Sequence, residues 1–239
     1  MKLNYKSICT LILSIVMLGC SQPDTTDRTD ARQGENADGG TTVAENPKKE
    51  ETKTILFFGN SLTAGYGLEP SQAFPALIQE RIDSLGLPYK VVNAGVSGET
   101  SAGGKSRIDW LLKKPVDVFV LELGANDGLR GIDTESTYNN LKTIMEKVRE
   151  KNPNVEIILA GMQLPPSMGQ KYTRDFSEVF TRLSKEENVH LIPFLLEGVG
   201  GIPELNQADG IHPTIEGQKI LAANVWAVLE NVVSAPVNP

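Results

Sequence analysis

Apolar side chains gather in five short runs along residues 53–234, and longer stretches with helical spacing lie between them. The runs are Thr54–Phe58, Lys90–Asn93, Asp117–Leu123, Val155–Ala160 and Val189–Phe194. They are rich in Val, Ile, Leu and Phe without polar alternation, the pattern of strands covered on both faces. Ser71–Leu85 carries Phe74, Leu77, Ile78 and Ile82 at helical spacing; Thr214–Val232 carries Ile215, Ile220, Leu221, Val225 and Leu229. Ser101–Lys113, Thr134–Glu150 and Tyr172–Glu187 complete the helical set, with Thr134 and Thr214 as expected N-caps. This alternation predicts an α/β fold, a five-stranded parallel sheet with helices on both faces in a three-layer α/β/α sandwich. A domain of about 180 residues buries roughly 70% of its unfolded surface, enough for one core.

The pattern changes outside residues 53–234. Residues 1–20 join Lys2 and Lys6 to an apolar stretch, Ile8–Leu18, followed by Gly19-Cys20. About 11 apolar residues are too few for a spanning helix, which needs roughly 20. The arrangement is that of an export signal. Gly19-Cys20 resembles a bacterial lipobox, whose cysteine becomes a lipidated first residue, although Met17 and Leu18 depart from the pattern. Cys20 is therefore expected to anchor an extracytoplasmic protein to a membrane, with plain secretion as the alternative. Residues 21–52 hold almost no apolar side chains. Such a segment cannot bury enough surface to offset its ordering entropy, and a disordered tether is expected. Residues 235–239 form a C-terminal tail.

Composition narrows the chemistry. The only cysteines are Cys9 and Cys20. Removal of the first and acylation of the second leave no thiol for a disulfide, a nucleophile or a metal site. The formal charge of −7 becomes −9 when Lys2 and Lys6 leave with the signal. No basic stripe is present, which argues against nucleic acid as a partner.

Candidate chemistry collects at the ends of the predicted strands, where open parallel sheets form their sites. Ser61 follows the first strand in Gly59-Asn60-Ser61, and Asp209-Gly210-Ile211-His212-Pro213 follows the fifth. A serine hydroxyl is a weak nucleophile until a base takes its proton. His212 can be that base, and Asp209, three residues earlier, can accept from the other imidazole nitrogen and set the tautomer. The other histidine, His190, lies inside an apolar run and reads as a packed or partly exposed strand residue. Ser61 alone would read as a helix cap. Acyl transfer also needs donors for an oxyanion. The backbone N–H groups of Ser61 and Gly95 and the side-chain amide of Asn126 are the candidates. Asp127 is expected to support the Asn126 loop. No cofactor or metal is needed. Gly103-Gly104-Lys105-Ser106 lacks the glycine spacing of a phosphate loop.

Taken in order, these blocks resemble the SGNH hydrolases, also called GDSL esterases, over essentially all of residues 54–232. The likeness is carried by Gly59–Gly67, Gly95, Gly124–Gly131, Phe194–Val199 and Asp209–Pro213, and is greatest to the bacterial arylesterase, lysophospholipase and acyl-CoA thioesterase I group. The resemblance implies the flavodoxin-like SGNH fold and acyl esters, lysophospholipids or acyl thioesters as substrates. Leu129, Met162, Leu164 and Pro165 are the expected acyl contacts. A carbohydrate O-acetylesterase and a tethered non-catalytic binding protein remain as alternatives. One position departs: Asn60 stands where the family usually has Asp. Asn keeps the size and an acceptor oxygen but drops a charge.

Overall fold

Each apolar run becomes a strand of one sheet in the computed structural model of the protein, which describes residues 51–234. The signal segment with Cys20, nearly all of the tether and the C-terminal tail lie outside the described residues. In chain order the elements are β1 (Lys53–Gly59), α1 (Ser61–Ala64), α2 (Phe74–Ser84), β2 (Tyr89–Asn93), α3 (Ser101–Leu111), β3 (Val118–Glu122) and α4 (Ala125–Leu129). They continue as α5 (Thr134–Lys151), β4 (Glu156–Ala160), α6 (Gln170–Glu186), β5 (His190–Ile192) and α7 (Ile215–Val233).

The strands lie in the order β2-β1-β3-β4-β5, and every pairing is parallel. The chain steps outward from β1 to β2, then crosses back over β1 to β3. Right-handed crossovers in opposite directions put successive helices on opposite faces. So α2 packs with α7 on one side, while α3 packs on α5 and α5 on α6 on the other. The reversal of strand order sits between β1 and β3, and a crevice opens at their carboxyl ends. β1, β3 and β4 are almost wholly buried, and Phe57, Phe58 and Phe119 on them are fully inaccessible.

Several boundaries move for local reasons. β2 is an edge strand with one face open, so Val92 is 41% exposed and the expected cover on both faces is absent there. β5 is shorter than its apolar run, because Pro193 has no N–H to continue the ladder. The expected helix from Ser71 splits into a 3-10 turn, Pro70–Gln72, and α2, whose first turn accepts Pro75. α5 is capped by Asp133, whose carboxylate accepts from Ser136 N–H at 2.9 Å; Thr134 is its first helical residue, not its cap. Thr214 does cap α7, through Gly217 N–H. Ile215 is 40% exposed, outside the buried stripe of α7 made by Leu221, Val225 and Leu229.

Candidate active site

The turn from β1 into α1 presents Ser61 at the crevice. Asn60 caps α1, its Oδ1 accepting from Leu62 N–H at 3.0 Å, and Ser61 opens the helix as its first residue. Gly65 closes this single turn in the left-handed region, at φ 72°. As the first residue of α1, Ser61 lies in the lining of the cavity at the end of the sheet.

The loop after β5 brings the other two groups. It is pinned at its base by a bridge between Asn206 and Pro213 and by Gln207 N–H donating to His212 O at 2.7 Å. The Gln207 side-chain amide also donates to Tyr66 O at 2.7 Å and Pro213 O at 3.0 Å, tying this loop to the segment after α1. Gly210 sits at φ 73°, a conformation that suits glycine, and lets the chain fold back so that Asp209 lies beside the imidazole.

A continuous hydrogen-bonded chain results. Ser61 Oγ is 2.9 Å from His212 Nε2, and His212 Nδ1 is 2.7 Å from Asp209 Oδ2. Asp209 Oδ1 accepts from the backbone N–H of Ile211 and of His212, both at 3.0 Å. The His212 bond first, then these two amides, hold the Asp209 carboxyl down at about 2. An ionised carboxylate only accepts, so the hydrogen resides on Nδ1 and the Nε2 lone pair faces the serine hydroxyl. Tyr66 lies over the His212 ring with centroids 4.5 Å apart.

Asn126 reaches the same crevice from α4, the short helix that follows β3. Its Nδ2 donates one hydrogen to Glu99 O at 3.0 Å and keeps a second for the cavity. Asp127 behind it is fully buried and accepts from Ser101 N–H and Ser101 Oγ, joining α4 to the start of α3. It supports the Asn126 loop, as expected.

Gly95 is not brought to the cavity, which corrects its expected place as an oxyanion donor. Its N–H donates to Asn93 Oδ1 at 2.9 Å, and it packs directly on the backbone of Thr63 and Ala64. Glycine is required there for close approach of the β2 loop to α1, since a Cβ would lie 2.4 Å from Ala64 N. Gly98 lines the cavity instead. It occupies the third position of a turn in which Glu99 N–H donates to Val96 O at 3.1 Å, and its φ is 78°. The N–H groups of Ser61 and Gly98 donate to no group among the described residues. The Ser97-Gly98 pair was a readable turn signal.

The cavity holds about 480 Å³ and runs from Ser61 across the loops after β3, β4 and β5. Leu129, Met162, Leu164 and Pro165 all line it. Met162 and Leu164 are buried in its wall, and Leu129 is exposed at its mouth. Phe194, Leu196 and the Gly200-Gly201 pair extend the wall beyond the residues expected from sequence. His190 lies elsewhere on β5, 3.3 Å from Glu156 Oε2.

The sequence matches the model of the GDSL-like lipase/acylhydrolase family over residues 57–220. It is 44% identical over 180 residues to the esterase TesA of Pseudomonas aeruginosa, covering 74% of this chain and 88% of that protein. It is 41% identical over 170 residues to the protein named thioesterase 1/protease 1/lysophospholipase L1 of Escherichia coli K12, covering 71% of this chain and 79% of the relative. The fold superposes on the crystal structure of TesA with a TM-score of 0.73 at 42% identity, covering 75% of this chain and 99% of that one. With this match spanning the strands, the crevice and the loops that line it, the chain belongs to the GDSL-like lipase/acylhydrolase family and is an enzyme that hydrolyses carboxylic ester bonds.

Proposed function

We propose that this enzyme is a serine esterase acting by two-step acyl transfer to water through Ser61, His212 and Asp209. The observation that carries the reading is the Ser61–His212–Asp209 hydrogen-bonded chain, 2.9 and 2.7 Å long, at the edge of a largely apolar cavity. As Ser61 Oγ bonds to the substrate carbonyl carbon, its proton passes to His212 Nε2. The imidazolium that forms faces the Asp209 carboxylate, which stabilises it and keeps the ring oriented. The carbonyl oxygen gains the negative charge. Ser61 N–H, Gly98 N–H and the free hydrogen of Asn126 Nδ2 are the donors available to it. Collapse of this intermediate returns the Nε2 proton to the leaving alkoxide. Water then gives a proton to Nε2 and attacks the acyl-enzyme; as the bond from the acyl carbon to Ser61 Oγ breaks, Nε2 returns that proton to Oγ and the carboxylic acid leaves.

The acyl chain lies along Met162, Leu164 and Pro165, with Leu129 at the entrance. Acyl esters and lysolipids suit this wall, since it offers contact area and few polar partners for the chain. The relatives named as an esterase and as a thioesterase and lysophospholipase support the same substrate range. Cys20 carries the lipid, and the domain works outside the cytoplasm at a membrane. The Gly19-Cys20 pair behind a short apolar stretch supports this part of the reading.

Labelling with a fluorophosphonate tests the nucleophile. Wild type should be labelled and Ser61→Ala should not; equal labelling of the two, or none of wild type, refutes the assignment. A series of p-nitrophenyl esters of increasing chain length, with Ser61→Ala as blank, tests the substrate class. Activity confined to the acetate ester would favour a carbohydrate O-acetylesterase instead. Metabolic incorporation of a labelled fatty acid into wild type and not into Cys20→Ala tests the anchor.

A further inference from the structure

Glu122 ends β3 directly beneath the turn that presents Ser61, and it is 1% exposed. The reaction above gives it no proton to move. Its two oxygens meet three donors: Oε1 accepts from Asn60 Nδ2 at 2.7 Å, and Oε2 accepts from Asn60 N–H at 3.0 Å and Thr63 Oγ1 at 2.7 Å. The Asn60 amide cannot turn over. Its Oδ1 accepts from the Leu62 backbone N–H, which can only donate, so the NH2 side must face Glu122. Gly59 makes the space, because a Cβ there would lie 2.5 Å from Glu122 Oε2.

We propose that ionised Glu122 is a positioning residue for the nucleophile, clamping the Asn60–Ser61 turn through the Asn60 amide so that Ser61 Oγ stays within reach of His212 Nε2. The inference rests on Ser61 being the nucleophile. It gives a physical reason for Asn60. An Asp at position 60 would set an oxygen against Glu122 Oε1, and the two would need a shared proton. The asparagine supplies that hydrogen covalently, so the contact requires no titrating proton.

The pairing makes a reciprocal test possible. In Glu122→Gln the side chain keeps its shape, but one N–H must face one of the three donors whichever way the amide turns. Fluorophosphonate labelling rate and kcat should fall on the order of 10- to 100-fold, as for a nucleophile displaced by a fraction of an ångström to an ångström, with KM nearly unchanged. In the double variant Asn60→Asp/Glu122→Gln the roles exchange. The new amide donates to the new carboxylate and still accepts from the position-60 N–H and from Thr63, while the carboxylate still accepts from Leu62 N–H. The double variant should recover at least about tenfold of the loss. Thermal melting establishes folding in each case. A Glu122→Gln protein with wild-type rates overturns the clamp, as does a double variant that is no faster or does not fold. If Glu122→Gln alone does not fold, a double variant within about tenfold of wild type supports the clamp and a slower one overturns it. A wild type that takes no label removes the nucleophile assignment instead, which separates the two failures.

Discussion

Replacing Gly95 by alanine measures how tightly the loop after β2 holds α1, the helix that carries Ser61. The new Cβ would lie 2.4 Å from Ala64 N, 2.8 Å from the Thr63 carbonyl carbon and 2.9 Å from Ala64 Cα. Unstrained contacts begin near 3.5 Å, so about 1 Å has to be found. All three atoms are backbone, and no side-chain rotation can supply it. The loop can lift, at the expense of the bonds from Asn93 Nδ2 to Thr63 O and from Val96 N–H to Gly59 O, 2.8 and 2.9 Å long. Otherwise α1 shifts and carries Ser61 with it. Overpacking of this kind costs about 1–3 kcal/mol, or roughly 3–10 °C in Tm for a domain of this size. A displacement near 1 Å at the reacting atom costs about 10²-fold in rate. Thermal unfolding and hydrolysis of p-nitrophenyl butyrate read both quantities. Gly86→Ala, away from the cavity, is the control: at φ 65°, with no atom within 4 Å of the added Cβ, it meets conformational strain of about 1–2 kcal/mol but no backbone clash, and should keep the wild-type kcat. A Gly95→Ala protein that melts with wild type and keeps its kcat would falsify the steric account and reopen Gly95 as an oxyanion donor.

Asn126→Ala removes one proposed oxyanion donor and should lower kcat by about 10²–10³, with the fold retained; a loss under about tenfold in a steady-state assay would count against its part in the hole. Asp209 is held at about 2 by His212 and two amides, so it stays ionised across the working range and adds no inflection to a kcat/KM profile above about pH 4. Asp209→Ala should fold, since the residue is exposed, and lose on the order of 10⁴ in kcat; a variant near wild-type activity would remove it from the triad. Burial raises the Glu122 carboxyl from 4.5 to about 7, against the pull of its hydrogen bonds from Asn60 and Thr63. The native state therefore binds more protons there than the unfolded chain. Its contribution to stability is complete below about pH 4.5 and is lost as pH rises through about 7, by about 3 kcal/mol. Urea unfolding of wild type and Glu122→Gln at pH 5 and 8, about the ends of that window, should show the difference in slope, and parallel behaviour would refute it.

The lower stability of ionised Glu122 and its proposed place in the clamp pull in opposite directions. The fold is most stable with the carboxyl protonated, and the pattern of three donors fits the anion. Sites that position reacting groups commonly sacrifice stability in this way.

What the chain determined locally was legible along it. The apolar runs at Thr54–Phe58, Asp117–Leu123 and Val155–Ala160 are central strands because burial on both faces needs an apolar residue at every position. Ser61, Asn126, Asp209 and His212 follow from side-chain chemistry at strand ends, and only a few groups of that chemistry are available, with two histidines in the whole sequence. Tertiary contacts decided the rest. Gly95 and Gly98 sit three residues apart in one loop. Which N–H faces the cavity depends on Asn93 capturing the first and on α1 packing against it, some thirty residues away in sequence. Thr134 and Asp133 are both competent caps, and the helix start chose the second. Glu122 reads in sequence as the polar end of an apolar run. Only α1 folding over the end of β3 buries it and turns it, with Asn60, into the support beneath Ser61. Periodicity and chemistry are properties of neighbours along the chain, whereas the direction of an amide and the burial of a carboxylate are set by atoms that meet only when distant segments pack.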